Sequence, residues 1–163
     1  GIFDVIGEDY WGEGVSSKRI AAALRNIGAD NPVSVNINSP GGDLFEGLTI
    51  YNLLKEHKGT VTVKVMGLAA SAASIIAMAG NHVQISRAGF FMIHNAWTLA
   101  IGNRHDLRDI ADFLEPLDRS MADVYSARTG DAPDDRATSS RALGVAFSGA
   151  RTACTTIARN AIT

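Results

Sequence analysis

The stretch Gly67-Leu-Ala-Ala-Ser-Ala-Ala-Ser74, "GLAASAAS", decides how this chain is read. It follows the β-branched run "TVTVKV" and leads into the apolar run "IIAMAG". Gly67 reads as the end of a strand and Ser71 as the first residue of the next helix. A serine at that corner has two uses. Its hydroxyl can cap the helix, the commonest role for such a residue. It can also be a nucleophile, because the helix dipole favours developing negative charge and the next N–H, that of Ala72, can donate to an oxyanion. The small neighbours let a substrate backbone approach closely. Ser74, one turn further in, reads as buried packing. The motif is not the G-x-S-x-G elbow, since Ala69 stands where that elbow has glycine.

Upstream, "PVSVNIN" alternates apolar and polar residues as a half-buried strand does, and "SPGG" breaks it. Two glycines between a strand and a helix allow positive φ and an exposed backbone N–H that could stabilise an oxyanion. A plain strand–turn–helix connection has the same pattern. Helical spacing resumes in "DLFEGLTIYNLLKEH", with Asp43 near the positive end of the dipole. Before the strand, "SSKRIAAALRNIG" reads as a helix capped by Ser16 or Ser17 and stopped at Gly28.

Downstream, "SAASIIAMAG" reads as a short buried helix ending at Gly80, and "HVQIS" and "GFFMIH" as strands. His94 ends the second of these, and histidine is the usual base for a serine nucleophile near neutral pH. His57, His82 and His105 lie in ordinary polar contexts. A long helix is expected from about Arg104 to Tyr125, kinked or split at Pro116. Its stripe of Leu107, Leu114, Leu117 and Met121 is more apolar than an exposed arm would carry without a partner. Strands alternating with helices imply an α/β domain.

The bulk properties exclude other classes. The 163 residues carry a formal net charge of −2, so no nucleic-acid footprint is expected. Cys154 is the only cysteine, which rules out an internal disulfide and fits a reducing cytoplasm. No apolar run approaches the ~20 residues of a membrane span, and "GIFDVIGEDYW" is too polar for a signal peptide.

The segments "INSPGG", "GLTIYNLL", "GLAASAAS" and "AMAGNHVQISRAGFFMIHNAW", in this order, resemble the ClpP-type serine peptidases. The run "IHNAWTLAIGNRHDLRDIADFLEPLDRSMADVYSARTG" more specifically resembles the ClpP-related head-maturation proteases of tailed phages and prophages. The resemblance covers about Gly7 to Gly130. It implies an α/β fold, a ClpP/crotonase-like spiral of ββα units with a protruding handle helix at residues 104–125. It implies closed rings that stack through that handle. Residue by residue, it makes Ser71 the nucleophile, His94 the general base, and Gly42 and Ala72 the oxyanion donors. No metal or cofactor is implied. The substrate would be a polypeptide, either a capsid or scaffold protein or an unfolded protein. Nucleic acid and membrane are not expected partners, and an ATPase is compatible but not implied. The expected location is the bacterial cytoplasm or a phage procapsid.

The pattern stops near residue 135. A ClpP-type peptidase has an aspartate roughly a dozen residues after the "TG" matched by Thr129-Gly130, but here that count reaches "SRALG". Asp134 and Asp135 are the last acids and the weak candidates for the third triad member. Beyond them the tail is formally +4, leaving the rest of the chain at −6. The expected division is a peptidase domain over residues 1–135 and an atypical tail over 136–163. A divergent end and a shifted reading frame each account for both facts. Three other readings compete with head maturation: a cytoplasmic degrading peptidase fed by an ATPase, a catalytically impaired ring subunit, and a crotonase-like acyl-CoA enzyme. The last would not need the Ser71 and His94 pair.

Overall fold

β-Branched residues at alternate positions of "VSVNINS" bury one face of a strand, and "VTVKV" does the same; in both runs the valines and isoleucines point into the core. The computed structural model describes residues 1–8 and 13–130. In chain order its elements are α1 (Ser17–Ile27), β1 (Val33–Ser39), α2 (Leu44–Lys55), β2 (Val61–Ala70), α3 (Ala72–Ala77), β3 (His82–Ile85), β4 (Phe90–Met92) and α4 (Arg104–Thr129). The four strands form one sheet, and every pairing between them is parallel. The fold is therefore mixed α/β, as expected.

β2 is the spine of the sheet. β1 runs along one edge, from Val33 opposite Val61 to Ser39 opposite Ala69. The other edge is shared: β3 pairs with Thr62–Val65, and β4 with Leu68–Ala70. Between them Ser86 N–H donates to the Val65 carbonyl at 2.9 Å, and Gly89 N–H to that of Ser86 at 2.7 Å. The sequence pattern places the end of this strand at Gly67. Pairing with β4 carries it three residues further, to Ala70. Gly67 instead sits where the β1–β2 register shifts, and a Cβ there would lie 2.5 Å from Asn38 Oδ1.

The N-terminal segment lines the outer side of β1. Ile2 N–H donates to Asn36 O at 2.7 Å and Asn38 N–H to Ile2 O at 2.8 Å, burying Ile2 and Ile6. α3 is buried at all six of its residues, and Gly47 of α2 packs so close that a Cβ would lie 2.9 Å from the Ala72 Cβ. α2 is capped by the Asp43 carboxylate, which accepts from Glu46 N–H at 2.8 Å. α1 starts differently from the expectation. The Ser16 side chain makes no cap bond; Glu46 Oε2 takes the Ser17 N–H instead, at 2.5 Å.

α4 opens on a capping box formed by Asn103 and Asp106 and closes on Gly130 in the left-handed region, φ 77°. It runs one turn beyond the expected Tyr125 end, and Pro116 does not split it. Proline removes the hydrogen bond to the Asp112 carbonyl, but Asp112 is exposed, so water can satisfy that oxygen. Asp134, Asp135 and the whole tail over 136–163 lie outside the described residues.

Candidate active site

The parallel register brings three strand ends to one level. Ser39 is opposite Ala69, so the Gly41-Gly42 turn beyond β1 stands beside Ser71 beyond β2. Ala70 is opposite Met92, and Ser71 N–H donates to the Met92 carbonyl at 3.0 Å, which sets His94 just past the same level. Carboxyl ends of parallel strands are where such sheets build their sites.

Ser71 has φ 53° and ψ −128°; among the described residues it is the only non-glycine with positive φ. It occupies the N-cap position of α3, but its side chain makes no cap hydrogen bond. Of the two uses open to it, capping is thus not realised. Gly41, at φ 95°, is the reason the two turns can touch. A Cβ on Gly41 would lie 2.6 Å from the Ser71 Cβ and 3.0 Å from the Ala72 nitrogen. No protein acceptor takes the backbone N–H of Gly42 or of Ala72 among the described residues.

Ser71 and His94 line one cleft of about 310 Å³, together with Gly42, Phe45, Ala72 and Trp97. One wall comes from α4, through Phe113, Leu114, Leu117 and Met121. Leu114, Leu117 and Met121, part of the stripe expected to need a partner, line this cleft; Leu107 of that stripe is exposed, at 45%. A second hollow of about 420 Å³, lined by Asp4, Glu8, Glu13, Asp43 and Glu46, contains neither Ser71 nor His94. His57, His82 and His105 lie away from the cleft; His57 Nε2 pairs with the Asn31 carbonyl at 2.8 Å.

His94 falls two residues beyond β4 rather than inside the expected strand. The segment after it is held by α4. Asp118 Oδ2 accepts from the Asn95 amide at 2.8 Å and Asp118 Oδ1 from the Ala96 N–H at 2.7 Å. Among the described residues no carboxylate is hydrogen-bonded to the His94 ring.

The model of the Clp protease family matches residues 14–142. This chain belongs to the Clp protease family. It is 33% identical over 129 residues to ATP-dependent Clp protease proteolytic subunit 1 of Prochlorococcus marinus (strain MIT 9312), a match covering 74% of this chain and 66% of that protein. It is 33% identical over 136 residues to proteolytic subunit 2 of Parasynechococcus marenigrum (strain WH8102), covering 77% and 68%. With proteolytic subunit 3 of Rhodococcus jostii (strain RHA1) the figures are 32% over 119 residues, 70% and 59%. The chain spans about two thirds of the length of the curated Clp relatives it matches.

Three residues hydrogen-bonded around this cleft of the Clp family chain are not evident from the sequence. Asp118 is not singled out by the sequence, and Tyr125 enters it only as the expected end of the long helix. Ser74, read as packing, is hydrogen-bonded on both sides, to the Ser71 carbonyl and to Tyr125. The signal available was a polar atom at Ser74, a position expected in the core.

Proposed function

We propose that this chain is a ClpP-type serine endopeptidase, with Ser71 as nucleophile, His94 as general base, and the Gly42 and Ala72 N–H groups as oxyanion donors. The observation that carries the reading is an uncapped serine with positive φ sharing one cleft with a histidine, beside a glycine turn whose Gly42 N–H has no acceptor among the described residues. Ser71 attacks a peptide carbonyl and its proton passes to His94. The oxyanion draws on the two N–H groups. The leaving amine takes the proton from His94, and water then releases the acyl group by the same steps. Asp134 and Asp135 remain the acids proposed to orient His94. Without such a carboxylate the best-studied serine protease triad loses about 10⁴-fold in rate, so labelling and turnover would be slow.

The experiment is reaction with a fluorophosphonate serine probe, followed by mapping of the modified residue. Label at Ser71, absent from Ser71→Ala, is the expected result. Label that persists in Ser71→Ala, or that maps to Ser74, would overturn the assignment.

For the substrate, we propose a capsid or scaffold protein cleaved during head maturation, on the strength of the phage-type run over residues 93–130. A second reading is favoured by the names of the curated relatives, each an ATP-dependent Clp protease proteolytic subunit. In that reading the chain forms rings in the cytoplasm that degrade unfolded protein delivered by an ATPase. Cleavage of an assembled scaffold without nucleotide supports the first; dependence on an ATPase and ATP supports the second.

A further inference from the structure

The carbonyl of Ser71 is fastened from the opposite side of the core. It accepts the Ser74 N–H at 2.9 Å and the Ser74 hydroxyl at 2.6 Å. The Ser74 Oγ lies 2.7 Å from the Tyr125 hydroxyl on α4, across 51 residues of sequence. The direction of this chain follows from chemistry. A carbonyl oxygen only accepts, so the Ser74 proton is committed to Ser71. The proton between Ser74 and Tyr125 must then come from Tyr125. The relay runs Tyr125 O–H to Ser74 Oγ, and Ser74 O–H to the Ser71 carbonyl. Ser74 has no exposed surface and Tyr125 has 6%, so no bulk water competes for these bonds.

The relay ends on one particular residue. Ser71 holds a positive φ that a residue with a Cβ rarely keeps, and such a conformation persists only where neighbouring groups over-determine it. Its N–H is fixed by Met92 and its carbonyl by Ser74. Fixing both sets the direction of the Cα–Cβ bond that carries the hydroxyl. We propose that Ser74 and Tyr125 are positioning residues for Ser71: Tyr125 orients the Ser74 hydroxyl, and Ser74 holds the peptide plane that aims the nucleophile into the cleft. This inference rests on the reading of Ser71 as the nucleophile.

The test uses the full chain and measures three things: the second-order rate of fluorophosphonate labelling at Ser71, kcat and KM on a fluorogenic peptide, and the melting temperature. Label at Ser71 in the unaltered chain checks the underlying reading; its absence would overturn that reading and the inference with it. Given that label, Tyr125→Phe removes one oxygen and keeps the ring, and Ser74→Ala removes the other oxygen. Each is expected to slow labelling and kcat about tenfold, one hydrogen bond's worth, at unchanged KM and well below its melting temperature. The double variant is expected to be no slower than the slower single variant, because the two groups act in series. A lowered melting temperature with labelling and kcat at the unaltered level would overturn the proposal and leave the pair a purely structural bond. So would additive losses in the double variant. Should Ser74→Ala fail to fold, Tyr125→Phe alone decides by the same kcat and labelling criterion.

Discussion

At Ser71 the backbone takes φ 53° and ψ −128°, a conformation that costs a residue with a Cβ about 1–3 kcal/mol. The glycine turn opposite explains why the site tolerates it. Gly41 lies so close that any side chain would collide with the Ala70 carbonyl and the Ser71 Cβ, both 2.6 Å from where its own Cβ would stand. The strain is testable without any substrate. Ser71→Ala and Ser71→Gly both remove the hydroxyl, but only glycine relieves the positive φ. The glycine variant is expected to be the more stable of the two by about 1 kcal/mol, after its larger unfolded-state entropy is deducted. Urea denaturation reads this as a higher midpoint at unchanged slope. Equal midpoints would show that Ser71 stores no strain.

α4 serves the site along its second half. Asp118 holds the backbone beyond His94, and Tyr125 reaches the turn of Ser71. Leu114, Leu117 and Met121 of the same helix wall the cleft. The register of the helix makes this possible, since residues 114, 117, 118, 121 and 125 recur at spacings of three and four along one face. Asp118→Ala leaves the Asn95 amide and the Ala96 N–H without their acceptor in a half-buried place. A loss of about 1–3 kcal/mol in stability is expected, with slower labelling of Ser71 because the segment carrying His94 loosens. Asp118→Asn keeps one acceptor oxygen and is expected to fall between. Unchanged labelling in Asp118→Ala would mean that the path of His94 is set by β4 alone.

For the molecule as a whole, burial pushes the Tyr125 hydroxyl well above its ordinary pKa of 10.0. The folded chain therefore holds a proton that the unfolded chain releases. This stabilisation is complete below pH 10 and is lost as the pH climbs above 10 towards the folded value. Tyr125→Phe lacks the proton, so the stability gap between the unaltered chain and the variant is expected to stay constant to pH 10. Above that it closes by up to about 1.4 kcal/mol per unit. Denaturation midpoints from pH 8 to 11 read it directly. The proposed ring has its own signature. Trp97, Leu99 and Ile101 are 76%, 86% and 95% exposed, ahead of an α4 that exposes Leu107 and Phe113. So much apolar surface is expected to be covered by a second copy. Light scattering is expected to report a mass well above 17.2 kDa, reduced in Leu99→Asp and Ile101→Asp. A strict monomer at high micromolar concentration would count against the ring.

Much of this protein was legible in its sequence. Alternation in "VSVNIN" and "TVTVKV", helical spacing in "DLFEGLTIYNLL" and the breaks at glycine pairs are local patterns, and they placed the elements in the right order. Ser71 and His94 could be singled out because few residue types do nucleophilic and base chemistry, and the Clp family's motifs surround both. The tertiary structure decided what depends on residues far apart in the chain. β2 runs to Ala70 because β4 supplies hydrogen-bonding partners there. The apolar stripe of α4 became a cleft wall because the helix packs with that face toward Ser71 and His94. Ser74, Tyr125 and Asp118 are tied to the segments around the cleft because packing brought their polar atoms within 2.6–2.8 Å of partners up to 51 residues away. A hydrophobic period is written in neighbouring side chains and survives in any fragment. A hydrogen bond across the core exists only when the whole chain has closed around it.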